Sequence, residues 1–146
     1  MDAARVHRWP IRVYYDDTDA AGLVYHAQYL AFCERARTEF LRALGLDHRR
    51  LRSEHGVVLA VRHAAADFRR AGFLDDALEV LTRVDKVGGA RLQATQHIVR
   101  KDELLCTVIT MVVVVGLDMR PRRLPRPLET ILREWVQPTA ESVKAP

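Results

Sequence analysis

The feature that most constrains the fold is a change of hydrophobic period near residue 45. Before this point, apolar side chains recur at three- and four-residue steps, the spacing of one face of an α-helix. Those positions are Tyr29, Phe32, Cys33, Ala36, Phe40 and Leu44. Gly45 supplies a stop, because glycine tolerates the left-handed conformation that commonly ends helices. The spacing therefore predicts one long helix from about Ala27 to Leu44.

After this helix the two-residue period of β-strands dominates the chain. The predicted strands are Val57 to Arg70, Ala77 to Val87, Arg91 to Lys101 and Leu104 to Leu117. Gly88-Gly89 and Asp102-Glu103 are predicted to be tight turns between neighbouring strands. The last strand contains the β-branched run VITMVVVVG, which favours a strand that is covered on both faces.

The remaining segments predict one more strand and two short helices. These are a strand over Arg5 to Asp16, a helical connector at His48 to His55 and a helix at Leu128 to Trp135. A long helix with a broad apolar face is best buried by a sheet that wraps around it, which predicts an α+β architecture. With 146 residues, 49% of them hydrophobic, the chain fits a single domain. We predict that residues 1–138 form this domain and that 139–146 form a flexible tail.

Composition narrows the cellular setting and the binding partners. The sequence lacks an apolar run of about 20 residues and a signal-peptide core, so a cytoplasmic location is expected. Cys33 and Cys106 lie far apart without a Cys-x-x-Cys or Cys/His pairing, so we interpret both as buried small apolar residues. The net charge of +4 is compatible with a phosphorylated ligand, an anionic membrane surface or nucleic acid.

The segment YYDDTDAAGLVYH places Asp16, Asp17 and Asp19 just before the predicted helix. Backbone N–H groups in a first helical turn lack intrahelical partners and carry the positive end of the helix dipole, so they can polarise a carbonyl group. An ionised aspartate beside that carbonyl can act as a nucleophile or as a general base toward water. The alternative is an acidic turn in which the aspartates bond to nearby backbone.

The same segment carries the motif D-x-D-x-x-G-x-V-Y-H, followed by the helix pattern Y-x-x-F-x-E-R-A-R. The motif residues are Asp17, Asp19, Gly22, Val24, Tyr25 and His26. This stretch closely resembles the 4-hydroxybenzoyl-CoA thioesterase family of hotdog-fold proteins, in particular its Tol-Pal-associated acyl-CoA thioesterase branch. Weaker similarity continues through FRRAGFLDDALEV and MRPRRLPRPL.

This resemblance implies an antiparallel sheet wrapped around a central helix, assembled as a homodimer or homotetramer with active sites between subunits. It also implies hydrolysis of acyl-CoA without a metal or another cofactor. By the resemblance, Asp19 is the catalytic carboxylate, and the backbone N–H of His26 polarises the thioester carbonyl. The His26 side chain is expected to assist catalysis, and Tyr25 is expected to contact the substrate.

The arginine-rich segments suggest where the phosphates of CoA bind. Guanidinium groups bind phosphate well, and Arg91, Arg122 and Arg123 lie near segments that contact the CoA nucleotide in similar proteins. Lys86 is a further candidate. The alternative for each of these residues is a solvated basic loop.

Two features do not follow the simplest interpretation. Glu34 lies on the predicted helix, where some hotdog thioesterases carry their catalytic carboxylate, but its flanking arginines favour an ion pair. The segment FRRAGF departs from the branch, because Arg70 stands where proline is common. This departure affects the strand edge, the mouth of the acyl pocket or a subunit contact.

Two other functions remain open from the sequence. A hotdog dehydratase acting on hydroxyacyl thioesters would need a His and Glu or Asp pair across the interface, and its usual motifs are absent. A non-catalytic module that binds acyl-CoA or protein would bind without turnover, and a peripheral association with a membrane or an envelope complex is open. The sequence has neither an aromatic-basic strand nor a recognition helix, so no nucleic-acid partner is predicted.

Overall fold

The computed structural model describes residues 5–137 and contains five β-strands and three α-helices in that range. The strands are β1 (His7–Arg12), β2 (Val57–Phe68), β3 (Ala77–Val87), β4 (Arg91–Arg100) and β5 (Glu103–Gly116), and the helices are α1 (His26–Ala43), α2 (His48–His55) and α3 (Arg126–Trp135). A short 3-10 helix spans Tyr15–Asp17. The long helix, both short helices and all five strands are therefore found where the sequence pattern predicts them.

The strands form one antiparallel sheet in the order β1-β3-β4-β5-β2. Consecutive strands β3, β4 and β5 pair through short turns, whereas β2 crosses to the far edge beside β5. Helix α1 contacts β1, β3, β4 and β5, so the sheet curves around it. The predicted α+β arrangement, an antiparallel sheet around one long helix, is confirmed.

Helix α1 is fixed by the apolar face that its sequence pattern predicts. Tyr29, Phe32, Cys33, Ala36 and Phe40 are buried on this face. The N-terminal half of the helix packs on Val80, Ile98 and Leu105 of the sheet. The C-terminal half joins a second apolar cluster that includes Leu51 of α2 and Leu128 and Leu132 of α3. The helix ends at Ala43, and Gly45 lies just beyond it with a φ of 82°, the left-handed conformation expected after a helix end.

Three local predictions need correction. The first strand ends at Arg12, because the chain turns into the 3-10 helix before reaching Asp16. The β4–β5 turn lies at Lys101-Asp102, one residue earlier than predicted, with Lys101 at a φ of 55°. Within residues 5–137, strand β5 is not covered on both faces, because Met111 and Val113, which face away from α1, are only half-buried.

The structure leaves out both ends of the chain. The predicted tail at 139–146 lies outside the described residues, and residue 138 lies there too. Within residues 5–137, no helix combines the length and the apolar character that a membrane crossing requires.

Candidate active site

Asp17 organises the turn that leads into α1. Its side chain is only 4% exposed. One carboxylate oxygen, Oδ2, accepts a hydrogen bond from the Tyr14 backbone N–H at 2.8 Å, and Oδ1 accepts one from Gln28 Nε2 at 2.8 Å. Its carbonyl oxygen accepts a bond from the Tyr25 N–H at 3.0 Å. Asp17 therefore joins the turn to the first turn of the helix.

Asp19 begins a tight turn that returns at Leu23. The Asp19 N–H donates to the Leu23 carbonyl at 2.8 Å, and Gly22, at a φ of 80°, donates back to the Asp19 carbonyl at 3.0 Å. The side-chain oxygen Oδ1 accepts bonds from the N–H groups of Ala21 at 2.9 Å and Leu23 at 3.2 Å. Within the described chain, Oδ2 has no hydrogen-bond donor. One oxygen thus fixes the rotamer, and the exposed carboxylate offers the other to a substrate or a water molecule.

The first turn of α1 has backbone N–H groups without an acceptor in the described chain. The Gln28 N–H bonds to the Tyr25 carbonyl at 2.8 Å, while the N–H groups of His26 and Ala27 have no acceptor among residues 5–137. Tyr25 is the N-cap and supplies no side-chain bond. These N–H groups lie at the positive end of an 18-residue helix. An incoming carbonyl oxygen would therefore be polarised there.

Both features open on one surface depression of about 470 Å³. Its lining residues are Asp19, Leu23, Val24, Tyr25, His26, Tyr29, Phe68, Arg69, Arg70 and Ala71. The His26 ring packs beside Tyr25, with ring centroids 4.5 Å apart, and edge-on to Phe68 at 6.2 Å. The structure thus brings together the predicted catalytic residues Asp19 and His26 and the predicted substrate contact Tyr25.

Tyr29 closes the floor of this depression. Its hydroxyl oxygen accepts a hydrogen bond from the Gly72 N–H at 2.9 Å. Burial raises the pKa of the Tyr29 hydroxyl above its ordinary value, although the Gly72 bond opposes this shift. A Cβ at Gly72 would lie 3.1 Å from Val24 Cγ2, so a larger residue there would require Val24 to shift. The Gly72 bond holds the Tyr29 hydroxyl in place, and the raised pKa keeps Tyr29 uncharged near neutral pH.

The four predicted phosphate-binding residues lie elsewhere. Lys86 and Arg91 line a depression of about 310 Å³ at the β3–β4 turn. The Arg123 guanidinium lies 3.0 Å from the position of a Cβ on Gly89 in that turn. Arg122 lies near Gly116, at the end of β5, and donates to Asp118 at 2.8 Å.

This basic group is separated from Asp19 along the sheet. Strand β5 pairs Cys106 with Phe68, which lines the Asp19 depression, and Val113 with Arg91. Seven residues of strand separate these two levels, which corresponds to about 23 Å. A single chain therefore does not bring the predicted phosphate-binding residues to Asp19.

Glu34 lies outside the Asp19 depression and is paired with Arg37. The Arg37 guanidinium also donates to Gln96 Oε1 at 2.8 Å, and Gln96 is fully buried. Glu34 and Arg37 line a separate apolar cavity of about 50 Å³ between α1 and the sheet. The interpretation of Glu34 as an ion-pair partner is confirmed.

Seven of the ten residues that line the Asp19 depression were not predicted as site residues, and among them are Phe68, Arg69 and Arg70. The available signal was the departure FRRAGF, which indicated a changed pocket mouth or edge but no role. These residues directly follow or end β2, so their position at the site depends on sheet topology.

Both the sequence and the fold match known thioesterases. The profile of the thioesterase-like superfamily matches residues 13–137. The acyl-CoA thioester hydrolase YbgC of Escherichia coli O6:H1 is 43% identical over 132 residues, which cover 89% of this chain and 96% of that protein. The 1,4-dihydroxy-2-naphthoyl-CoA hydrolase of Synechococcus elongatus is 32% identical over 128 residues, covering 87% and 92%.

A solved structure gives the same result. The crystal structure of a probable thioesterase from Bartonella henselae superposes with a TM-score of 0.80 at 37% identity, covering 83% of this chain and all of that one. The predicted resemblance is confirmed by the profile, by curated relatives and by this structure. The chain is a homologue of YbgC and belongs to the thioesterase-like superfamily of hotdog proteins.

Proposed function

We propose that this protein hydrolyses acyl-CoA thioesters to a free acid and CoA. The observation that carries the proposal is the depression that is lined both by Asp19 and by His26, the first residue of α1. The names of two relatives, an acyl-CoA thioester hydrolase and a 1,4-dihydroxy-2-naphthoyl-CoA hydrolase, agree with this chemistry.

The backbone of α1 supplies the electrophilic part of the mechanism. The His26 N–H donates to the thioester carbonyl oxygen, and this bond strengthens as negative charge develops on that oxygen. One such donor lowers a barrier by about 3 kcal/mol in other acyl-transfer enzymes. The His26 ring, held beside Tyr25 and Phe68, orients the substrate or directs water.

The Asp19 carboxylate supplies the nucleophilic part by one of two routes. In the first route, it attacks the thioester carbon and expels the CoA thiolate, and water then hydrolyses the resulting mixed anhydride. In the second, it accepts a proton from a water molecule that attacks the thioester directly. Both routes use the Asp19 oxygen that lacks a hydrogen bond within residues 5–137.

We further propose that the complete site needs two copies of the chain. Strand β2 is an edge strand, and Ala64, Ala66 and Phe68 are exposed although they share a face with residues of β5 that α1 covers. Antiparallel pairing of two β2 edges would place Phe68 of one copy near Val57 of the other. Because Val57 pairs with Gly116, the Arg122 region of the second copy would then approach Asp19 of the first.

This arrangement gives the basic residues a role. Lys86, Arg91, Arg122 and Arg123 of one copy would bind the phosphates of a CoA molecule whose thioester lies at Asp19 of the other. The half-buried apolar side chains on the opposite face of the sheet support the pairing of two dimers into a homotetramer. These side chains are Leu81, Val99, Met111 and Val113. Light scattering of the purified protein measures which assembly forms.

The test of the catalytic proposal is the turnover of an acyl-CoA panel by the wild type and by Asp19→Asn. We expect the variant to fold normally and to lose turnover, because the amide is neither a nucleophile nor a base. Asp16→Asn is the matched control, since Asp16 is an exposed carboxylate of the same segment. Near-wild-type turnover by folded Asp19→Asn would exclude Asp19 as the catalytic group. Binding of acyl-CoA without hydrolysis by the wild type would instead favour a binding module.

A single turnover in water labelled with oxygen-18 separates the two routes. Label in the Asp19 carboxylate supports the anhydride, and label only in the product acid supports direct attack by water. Turnover of the acyl-CoA panel by the wild type also measures the acyl-chain preference. A cytoplasmic location and a peripheral association with a membrane or an envelope complex stay predictions.

A further inference from the structure

Arg69 and Arg70 connect the Asp19 depression to a second one. Both residues line the depression that contains Asp19 and His26. They also line an adjoining depression of about 490 Å³, together with Glu103 and Leu104. The two depressions meet at the arginine pair, so a groove runs from the catalytic turn across both guanidinium groups.

The backbone beneath these arginines is held firmly. The N–H groups of Arg69 and Arg70 both donate to the Leu105 carbonyl, at 2.8 and 3.1 Å. The Ala71 carbonyl accepts a bond from Arg100 Nη1 at 3.1 Å. The positions from which the two side chains extend are therefore fixed relative to the end of β2.

The guanidinium groups themselves are free to change partners. Arg69 pairs with Asp67 at 3.0 Å and Arg70 with Glu103 at 3.4 Å, and the two arginine side chains are 62% and 66% exposed. Exposed ion pairs contribute little to stability, so replacing the carboxylate partner by another oxyanion costs little. An arginine fork is well matched to phosphate and carboxylate oxygens.

We propose, building on the acyl-CoA hydrolysis proposed above, that Arg69 and Arg70 form a subsite for an oxyanion of the substrate. Two parts of a substrate can provide this group: a phosphate of CoA, or a terminal carboxylate on a dicarboxylic acyl chain. The subsite lies at the end of β2, where Arg69 and Arg70 line both depressions. It adds a specificity element beside the catalytic turn.

The test measures binding, so that it does not depend on turnover. Four thioether ligands are used, which contain no hydrolysable bond: S-butyl-CoA, S-(3-carboxypropyl)-CoA, and the corresponding S-alkyl pantetheines without phosphates. Calorimetry gives Kd for the wild type and for the double variant Arg69→Gln/Arg70→Gln. The matched control is Arg8→Gln, since Arg8 is also 62% exposed and forms a surface ion pair, with Glu79, but lies on the opposite edge strand.

We expect the double variant to bind the thioethers that carry the recognised oxyanion about tenfold more weakly than the wild type does. The reason is the loss of charge-assisted hydrogen bonds. A loss confined to the two CoA ligands identifies a phosphate, and a loss confined to the two carboxypropyl ligands identifies the acyl carboxylate. Arg69→Lys/Arg70→Lys retains both charges and is expected to recover part of the affinity. Arg8→Gln is expected to bind all ligands as the wild type does.

The inference is overturned if the double variant binds all four ligands within about twofold of the wild type, or if the wild type binds none. It is distinguished from the proposed function by the wild-type assay on acyl-CoA. Wild type that binds the thioethers but hydrolyses no thioester refutes the hydrolase proposal and leaves the arginine comparison readable. Normal hydrolysis with unchanged binding by the double variant refutes the arginine subsite alone.

Discussion

Replacement of Asp17 by alanine is expected to destabilise the protein far more than the same change at Asp16. The Asp17 carboxylate is 4% exposed and accepts two bonds of 2.8 Å, from the Tyr14 N–H and from Gln28 Nε2. Hydrogen bonds to a charged group contribute about 1.5–3 kcal/mol each. Tyr14 is exposed, so its N–H regains water after the substitution. We therefore use the lower bound, a loss of about 3 kcal/mol in the free energy of unfolding.

Urea denaturation at one fixed protein concentration measures this loss. With a slope of about 2 kcal/mol per molar urea, the midpoint should fall by about 1.5 M. The concentration is held constant because assembly would make the stability depend on it. Asp16→Ala is the control, since Asp16 is exposed and its side chain has no hydrogen bond within residues 5–137. It should unfold within about 0.5 kcal/mol of the wild type.

An asparagine at position 17 makes the expectation sharper. Its oxygen can keep the Tyr14 bond, and its amide can donate to Gln28 if the Gln28 side chain turns its oxygen inward. Asp17→Asn should therefore cost about 1 kcal/mol, much less than Asp17→Ala. A double-mutant cycle with Gln28→Ala should give a coupling of about 1–2 kcal/mol. Equal stability of Asp17→Ala and Asp16→Ala, or zero coupling to Gln28, would refute the bridging role.

Three further outcomes follow from the buried groups. Burial raises the pKa of the Cys33 and Cys106 thiols to about 12, so neither should react with a disulfide reagent at pH 8 until the protein is unfolded, when both should. Burial lowers the pKa of His7, whose Nδ1 has no partner in the described chain, so the unfolded state binds protons more readily. The free energy of unfolding should fall as pH drops below about 6.5, and His7→Phe should reduce that dependence in urea titrations. Arg37→Met leaves the buried Gln96 Oε1 without its donor and should cost about 2 kcal/mol in urea denaturation, whereas no loss would contradict the network.

The elements of the fold could be predicted because each has a local cause. Helix α1 begins and ends within one residue of the predicted bounds. Both bounds come from local signals, because the apolar period marks the helix and Gly45 stops it. The β4–β5 turn was misplaced by one residue because Lys101 adopts a left-handed φ without being glycine. Coverage of β5 was overestimated, because an apolar run does not reveal which neighbour supplies the second layer.

The candidate site could be predicted only where the chain itself brings residues together. Asp19 and His26 are seven positions apart on one turn, so a motif was enough to place them. Arg69 and Arg70 reach the same depression because β2 crosses to the edge beside β5, and no local pattern specifies that crossing. Strand order is set by which apolar faces can be buried together, which is a property of the whole chain.

The three aspartates of the opening motif show where sequence chemistry stops being informative. Each is an ionisable carboxylate in an acidic turn, yet only Asp17 is buried. Of the two exposed aspartates, Asp19 accepts hydrogen bonds at its side chain, and Asp16 accepts none within residues 5–137. Asp17 is buried, and its two oxygens accept hydrogen bonds from Tyr14 and Gln28, so its carboxylate is shielded from a substrate. In Asp19, only Oδ1 accepts hydrogen bonds from the turn, which Gly22 permits by its left-handed φ. A catalytic carboxylate needs a fixed position and an oxygen that a substrate or water can reach. Within the described structure, Asp19 is the one aspartate of this motif that meets both needs, because Oδ1 is held by the turn and Oδ2 is not.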